Sequence, residues 1–363
     1  MCIRDRPRTP PGTRGNDTTR GHRVIPNRSR SANVRPAALL SAALLPLWLA
    51  MTGCTASAQS DMPAFECESS VESGPVLDSV AVSGQFGNAI TLNPTGDMTV
   101  DQLVAHRQGE GDGRLVTERG VIDANYTIVD MSNGAVLAPY RPFTITADEN
   151  SAATTMDAIA AQLPGIASAM QCAREGQRVI AAMPMSTLFG DESGTSLPVD
   201  TSVVVGVDIV RVYSSSASGV VSMPKDGFPA VVTAPDGRPG VTMPKAPAPA
   251  NERAWMRITG HGPTVAAGEQ ATIHMSIFDW ESGEELASTW DARNSVIRVP
   301  IDPNNDGIYG LTKHLEGQPT GSQLVAVVPA ARVAEAQGPL HPQLVAGRTL
   351  VVVVDVLGTD GAA

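Results

Sequence analysis

The chain has 363 residues, of which 42% are hydrophobic, 17% charged and only 4% aromatic, with 34 glycines and 28 prolines. This composition can fill packed cores, excludes bulk disorder, and favours short Val-rich strands and turns over long charged helices or a coiled coil. The net charge is −11, but residues 1–53 carry nine arginines and two acidic residues, so the remainder carries −18. With three lysines in the whole chain, that acidic body argues against nucleic-acid binding.

The N-terminal region has the pattern of an export signal. An apolar run of fourteen residues, AALLSAALLPLWLA at positions 37–50, follows Arg28, Arg30 and Arg35. The run is shorter than the ~20 residues that a membrane-spanning helix needs, which indicates a signal peptide. We interpret the stretch before Arg28 as an upstream mis-start or an assembly scar, and the fold prediction begins after residues 1–53, the signal peptide with its upstream segment.

The apolar run ends in Met51-Thr52-Gly53-Cys54, which resembles a bacterial lipobox with Met in place of the usual Leu. The resemblance implies that Cys54 is acylated and becomes the new N-terminus. Two or more acyl chains hold a soluble domain stably on a membrane. We therefore expect a lipoprotein on the outer face of the cell membrane, with residues 54–75 as its tether. The alternative is an ordinary secretory signal followed by a chance cysteine.

Two further cysteines, Cys67 and Cys172, belong to the exported part of the chain. Disulfides form and persist in oxidising compartments outside the cytoplasm. A Cys67–Cys172 disulfide is the economical prediction, and two unpaired buried thiols are the alternative.

The chain also contains an internal repeat. Residues 163–184, LPGIASAMQCAREGQRVIAAMP, align without gaps with residues 308–329, IYGLTKHLEGQPTGSQLVAVVP, and the match extends outward until Asp208 and Asp355 fall on equivalent strand positions. A period near 147 residues is too long for a solenoid and predicts two tandem domains.

Each copy is predicted to contain several strands, one short helix at 166–174 or 311–317, and a closing Val-rich strand. Glycines just beyond each predicted helix support its end. A Ser/Gly-rich segment follows the first copy. We predict an α+β fold with domain 1 at 76–213, a linker at 214–226 and domain 2 at 227–358.

The order of short motifs in the first copy resembles the FKBP-type prolyl isomerases. The motifs are a Gly-Asp-Gly turn at 111–113, NYT at 125–127, LPG at 163–165, GQRV at 176–179 and LFG at 188–190. The resemblance implies two tandem FKBP-like domains, each a half-wrapped antiparallel β-sheet around one short α-helix, with an apolar pocket between them. Together with the lipobox, the pattern is similar to FKBP-like lipoproteins of high-GC Gram-positive bacteria.

Carried over by position, the resemblance makes Tyr126 the pocket-strand tyrosine and puts Phe189 at the loop tyrosine, and these two are the candidate catalytic residues. Ala138 stands where the family has a pocket aspartate. The resemblance assigns apolar substrate contacts in this copy to Leu137, Ala138, Leu163, Ile166 and Val205.

The second copy retains less of the family pattern, and Ala287 again replaces the acidic residue. We therefore expect this domain to be degenerate and the activity to lie in domain 1. The corresponding substrate contacts are Met275, Leu286, Ile308, Leu311 and Val352.

Prolyl isomerisation needs neither a nucleophile nor a metal, so no cofactor is expected. An X-Pro bond twists over a barrier of ~18–20 kcal/mol, and an apolar, water-poor pocket favours the less charge-separated twisted amide. The expected function is folding assistance to exported proline-containing polypeptides by a monomer. The alternatives are an inactive FKBP-like binding or chaperone lipoprotein and a purely structural surface protein.

Two competing motifs are weak. Residues 302–307, DPNNDG, begin like a calcium loop, but Lys313 occupies the twelfth position, where a bidentate Glu is required, so a turn is predicted instead. His274 lies beside Met275 on a predicted strand and is interpreted as a strand residue rather than a general base. The histidines show no metal-ligand spacing.

Overall fold

The computed structural model describes residues 67, 69, 71–96, 98–143, 153–190, 198–291, 296–302 and 307–361. The predicted signal peptide, Cys54 and most of the calcium-like segment lie outside these residues. In the described part, no helix combines the length and apolar character needed to cross a membrane.

The first module contains strands β1–β8. An antiparallel sheet has the order β3-β7-β8-β4-β5, with β6 also paired to β4, and β1 and β2 form a separate hairpin. Strand β8 is almost wholly buried, which fits a Val-rich strand covered on both faces. The strands are β1 Val80–Ser83, β2 Thr91–Pro94, β3 Val104–Gln108, β4 Val121–Asp130, β5 Val136–Pro142, β6 Ala153–Thr155, β7 Arg178–Pro184 and β8 Ser202–Tyr213.

Three short helices accompany this sheet, namely α1 Met156–Gln162, α2 Pro164–Met170 and α3 Met185–Phe189. Thr155 caps α1 by accepting a hydrogen bond from the Ala158 backbone amide. Helix α2 ends before the predicted position 174, because Gln171 has a ψ of 137° and Cys172 a φ of 63°, and neither continues a right-handed helix. The structure pairs Cys172 with Cys67, with a Cα–Cα distance of 5.5 Å.

The second module contains strands β9–β17. Its antiparallel sheet has the order β14-β13-β17-β16-β12-β9, with β15 also paired to β13, and β10 and β11 form a hairpin. Strand β9 belongs to the segment predicted as a linker. The strands are β9 Val220–Val221, β10 Ala230–Thr233, β11 Pro239–Thr242, β12 Arg253–Thr259, β13 Gln270–Asp279, β14 Glu285–Ser288, β15 Ile297–Pro300, β16 Gln323–Val328 and β17 Leu350–Asp360.

The second module differs from the first at its predicted helix. Residues 311–317 contain only a 3-10 turn, Thr312–His314, and the preceding Ile308 and Tyr309 have left-handed backbone angles. Two short helices follow β16, α4 Ala330–Glu335 and α5 Pro342–Val345. The order of apolar and polar residues is similar in the two copies, but the second copy does not form a regular α-helix here.

Each sheet is covered on both faces. In the first module, one buried cluster joins the sheet to α1–α3, and a second joins it to the β1–β2 hairpin. In the second module, Phe228 and the β10–β11 hairpin pack on the sheet face opposite the one that packs on the segment 308–315. The motif resemblance predicted a sheet packed against helical segments. The hairpins β1–β2 and β10–β11 on the opposite sheet faces were not predicted from the sequence.

The predicted repeat has a structural counterpart. Gly176 and Gly321, which the repeat aligns, have φ angles of 89° and 91°. Asp208 lies opposite Asn125 on the neighbouring strand, and Asp355 lies opposite His274 in the same way. The predicted α+β fold, with two antiparallel sheets in tandem, is confirmed.

The two modules meet through polar and apolar contacts. Arg298 of β15 binds the Asp123 carboxylate of the first module at 3.0 Å and donates to the Tyr213 hydroxyl at 2.9 Å. Tyr213 in turn donates to Asp360 at 2.7 Å. An apolar cluster beneath these side chains contains residues of both modules, including Val121 and Leu357.

Candidate functional site

Tyr126 lies in the middle of β4, with Val207 of β8 on one side and Arg141 of β5 on the other. Its side chain belongs to the first module's inner core and is 7% exposed. This position puts a polar hydroxyl at the margin of an otherwise apolar cluster.

Two neighbours fix the Tyr126 ring. Arg141 donates to the Tyr126 hydroxyl from Nε at 3.0 Å and from Nη2 at 2.8 Å. Phe143 stacks on the ring with centroids 4.3 Å apart. A hydroxyl has two acceptor sites and one donor proton. Arg141 therefore occupies the acceptor sites, and among the described residues the O–H proton has no acceptor.

Three other candidate residues of the first module keep exposed apolar surface. Leu163 is the N-cap of α2, and Phe189 is the last residue of α3; both are partly buried and pack against the same core as Tyr126. Leu137 lies on the edge strand β5, is 38% exposed, and is not part of that core cluster. Leu163 and Phe189 therefore lie against the cluster that contains Tyr126, whereas Leu137 does not.

The remaining candidates of the first module are packed inside. Ala138, Ile166 and Val205 are 8%, 0% and 1% exposed and share the core cluster with Tyr126. Ile166 and Val205 therefore support the site from beneath and offer a ligand almost no surface of their own.

The second module also brings its candidates together. Met275, Ile308, Leu311 and Val352 lie in one buried cluster, and Leu286 packs against it with part of its surface exposed. The four buried residues are at most 4% exposed. The four buried positions therefore form a closed interior, and among these five residues Leu286 alone keeps exposed surface.

His274 is a buried side chain packed tightly by its neighbours. It is 3% exposed, stacks on Trp290 with centroids 4.0 Å apart, and shares a hydrogen bond of 2.7 Å between Nδ1 and the Thr289 hydroxyl. Burial lowers the pKa of His274 to about 3, so the ring is neutral at physiological pH. A cavity of about 170 Å³ lies beside it, lined by residues of both modules.

Sequence reasoning missed Arg141 and Phe143. Arg141 is directly opposite Tyr126 in the β4–β5 ladder, and side chains directly opposite each other lie on one face of a sheet. The register depends on two irregularities in this ladder, which the sequence does not reveal. The alternation of apolar and polar residues in Val136–Pro142 was therefore not enough to predict that Arg141 lies opposite Tyr126.

Comparison with known proteins supports the resemblance over about one module. The chain is 29% identical over 120 residues to a probable FK506-binding protein of Corynebacterium glutamicum, a match that covers 33% of this chain and 97% of that relative. No protein-family model matches the chain. The similarity to FKBP-type proteins that the motifs indicate is thus confirmed by this relative.

Solved structures show more distant likenesses. The three FKBP domains of wheat FKBP73 match 71% of this chain and 95% of their own, at 14% identity and a TM-score of 0.29. The N-terminal domain of Arabidopsis thaliana FKBP42 matches 33% of this chain and 98% of its own, at 16% identity and a TM-score of 0.27. FkpA from Escherichia coli matches 38% of this chain and 54% of its own, at 16% identity and a TM-score of 0.26.

Proposed function

We propose, from the similarity to FKBP-type proteins, that this chain is a peptidyl-prolyl isomerase whose activity lies in the first module. The observation that supports the proposal most is the Tyr126 hydroxyl, which Arg141 orients at the margin of an apolar cluster. Its substrates would be proline-containing segments of exported polypeptides. We also propose that the protein is a monomer and that its activity needs no cofactor.

In this proposal the reaction is a rotation about the X-Pro bond. Leu163 and Phe189 contact the prolyl ring and exclude water from it, which favours the twisted amide over the planar one. Tyr126 donates its O–H proton in a hydrogen bond to a substrate carbonyl and orients the peptide. Arg141 is a positioning residue, because it holds the phenol oxygen and leaves that proton available.

The second candidate function is noncatalytic binding of unfolded or extended segments. It is favoured by Ala138 and Ala287, which stand in both copies where the family has an acidic residue, and by the closed packing around Ile166 and Val205. Such a protein suppresses client aggregation without accelerating cis-to-trans conversion.

A protease-coupled assay with a proline peptide separates the two functions. We expect the exported chain to accelerate cis-to-trans conversion, and Tyr126→Phe to lower kcat/KM by about five- to tenfold, the worth of one hydrogen bond. Arg141→Met is expected to lower it as well. The matched control is Tyr309→Phe, the same chemical change in the second module, which leaves the rate unchanged.

The outcomes are distinct. If the exported chain does not exceed the uncatalysed rate but prevents aggregation of an unfolded client, the binding function replaces the enzymatic one. A rate that falls equally in Tyr126→Phe and Tyr309→Phe would refute the assignment to the first module.

Export and anchoring belong to the same proposal. A signal peptide with its apolar core at 37–50 would export the protein, and acylation of Cys54 would hold it on the outer face of the membrane. A Cys67–Cys172 disulfide suits that compartment. Cys54→Ser is expected to move the protein from the membrane fraction to the soluble exported fraction. Retention of Cys54→Ser in the membrane fraction would contradict lipid anchoring at this residue.

A further inference from the structure

A small cavity of about 170 Å³ lies between the two modules, beside His274. For comparison, a cavity of ~150 Å³ is enough to hold benzene. Among the described residues, none of the candidate substrate contacts lines this cavity, so the site is independent of the proposed isomerase activity. Its charged and aromatic wall residues are Arg119 and Asp157 of the first module and Asp236, His274, Trp290 and Asp291 of the second.

One ring nitrogen of His274 is left free at this cavity. His274 is 3% exposed, and its Nδ1 shares a hydrogen bond of 2.7 Å with the Thr289 hydroxyl. Nε2 makes no hydrogen bond within the described part of the chain, yet it keeps surface that solvent can reach. Successive residues of a strand point to opposite faces, so His274 faces away from the core that contains Met275. A buried side chain with an unpartnered polar atom calls for an explanation, and a ligand in the cavity supplies one.

Thr289 determines which nitrogen of His274 carries the proton. The Thr289 hydroxyl contacts Nδ1 at 2.7 Å, the Met275 amide at 2.9 Å and the Met275 carbonyl at 3.3 Å. A hydroxyl accepts two hydrogen bonds and donates one. All three contacts are satisfied when Nδ1–H and the Met275 amide donate to the hydroxyl and the hydroxyl donates to the carbonyl. Nε2 is then an unprotonated acceptor, and burial, which lowers the pKa of His274 to about 3, keeps it so at neutral pH.

The walls around this acceptor carry an excess of negative charge. Arg238 binds the Asp291 carboxylate at 2.8 Å and neutralises it. Asp157 and Asp236 form no ion pair within the described residues, and the exposed Arg119 is the cationic side chain among the described lining residues. Because unpaired carboxylates repel an anion and attract a cation, the cavity favours a positively charged ligand.

The tip of the β10–β11 hairpin holds one wall in place. Gly237 lies so close to Trp290 that a Cβ there would be 2.7 Å from Cη2. Trp290 stacks in turn on His274, with ring centroids 4.0 Å apart. Arg238 binds Glu285 of β14 at 2.6 Å and so ties the hairpin to the sheet. The wall is therefore packed before any ligand enters, which lowers the entropic cost of binding.

We propose that this cavity binds a small organic cation with a guanidinium head group, which donates one N–H to Nε2 of His274 and places its charge near Asp157 and Asp236. A guanidinium on an alkyl chain is planar and has five N–H donors, so it can reach an imidazole nitrogen and carboxylates together. It is also more weakly hydrated than an ammonium, which lowers the cost of entering a half-closed cavity. The group belongs either to a free small molecule or to an arginine side chain of a polypeptide.

Nitrogen NMR of the exported chain with isotope-labelled histidine tests the proposal. In the free protein the His274 proton should lie on Nδ1, and a proton on Nε2 would overturn the proposal. Methylguanidinium should shift the Nε2 signal saturably. It should bind about tenfold more tightly than methylurea, which has the same planar shape without the charge. Absence of saturable shifts, or equal affinities of the two probes, would also overturn the proposal.

Two capped tripeptides distinguish the sources of the guanidinium. One has a central arginine, and the other has a central citrulline, whose neutral urea replaces the guanidinium. Tighter binding of the arginine peptide would assign the site to an arginine side chain of a polypeptide. Binding of methylguanidinium without binding of the arginine peptide would assign it to a free small cation. Either result supports a guanidinium site.

Variants test the two parts of the site separately. Asp157 is exposed on α1, so Asp157→Asn should keep the fold and weaken methylguanidinium binding about threefold without altering methylurea binding. The control Asp112→Asn removes an exposed carboxylate of the same module outside the cavity and should change neither affinity. His274→Phe keeps a ring against Trp290 but removes the acceptor, and it should weaken methylguanidinium binding about tenfold. Unchanged methylguanidinium affinity in both Asp157→Asn and His274→Phe would contradict the site.

Discussion

Asp208 and Asp355 occupy equivalent positions on the last strands of the two modules, and the modules accommodate their buried carboxylates differently. Asp208 accepts hydrogen bonds from Arg178, Tyr140 and the Gly87 backbone amide, and Arg178 binds it through both Nε at 2.6 Å and Nη2 at 3.0 Å. The bond to Asp208 raises the pKa of the Arg178 guanidinium. In the first module the buried negative charge is paired directly.

Among the described residues, Asp355 has no arginine bound directly to it. It accepts one hydrogen bond from the Gln323 side chain at 2.7 Å and one from the Ala217 backbone amide at 2.8 Å. Arg257 donates to the Gln323 side-chain oxygen at 2.6 Å and to the Thr233 hydroxyl at 3.3 Å rather than to Asp355. Burial raises the pKa of Asp355 to about 6 against these opposing contacts. The comparison shows that one sheet position can carry either a paired ion or a carboxyl that titrates near neutrality.

The largest expected effect comes from breaking the direct pair. Asp208→Asn leaves the buried Arg178 guanidinium without its carboxylate and should cost about 3–5 kcal/mol in unfolding free energy. Asp355→Asn removes a weakly compensated charge and should cost far less at pH 7. Urea unfolding of the two variants measures both values. Equal losses would show that the two environments are equivalent.

The disulfide is a second difference, because Gly317 stands in the second module where the first has Cys172. Cys172→Ala should lose roughly 3–5 kcal/mol of unfolding free energy in the chain-entropy account of a loop with a sequence separation of 105. Cys172 and Gly317 have φ angles of 63° and 75°. Cys172→Gly removes the same bond but suits this backbone, so it should be about 1 kcal/mol more stable than Cys172→Ala. The control repeats the measurement under reducing conditions, where Cys172→Gly should again be more stable than Cys172→Ala.

The pH dependence of stability should reveal Asp355. Its pKa is 3.8 in the unfolded reference and about 6 in the fold, so the folded state favours the protonated carboxyl. This contribution is present below pH 3.8 and is lost as pH rises through about 6, up to about 3 kcal/mol in total. His274 acts oppositely, because its lowered pKa disfavours the fold as pH falls below 6.5.

The variant Asp355→Asn isolates this effect from that of His274. The difference in unfolding free energy between the parent chain and Asp355→Asn should change between pH 4 and pH 7, with the parent chain losing stability relative to the variant. A difference that is constant with pH would mean that Asp355 has an ordinary pKa in the fold.

A smaller effect is expected at Tyr140. Its hydroxyl donates to Asp208 at 3.0 Å, and burial together with Asp208 raises the pKa of Tyr140 to about 12. Tyr140→Phe should cost about 1.5 kcal/mol, the value of a hydrogen bond to a charged group. In a double-mutant cycle with Asp208→Asn, the two losses should not add. Additive losses would show that this bond contributes nothing.

The sequence was sufficient for the architecture. Glycine positions and apolar runs predict tandem sheets, since Gly176 and Gly321 require a left-handed backbone in both copies. It was insufficient where the outcome depends on long-range packing. Arg178 and Asp208 are 30 residues apart, and nothing in their spacing predicts their bond. Likewise, residues 311–317 form only the 3-10 turn Thr312–His314 in place of the predicted helix, because packing overrides local propensity.

The most direct test of the central claim measures the NMR signals of two aromatic rings in the first module. NMR titration of the exported chain with a short peptide containing a Leu-Pro bond should give saturable shifts of the Tyr126 and Phe189 ring signals, and cis–trans exchange peaks of the peptide should appear at substoichiometric protein. If both ring signals remain unmoved at saturating peptide and no exchange peaks appear, the first module is not a prolyl isomerase.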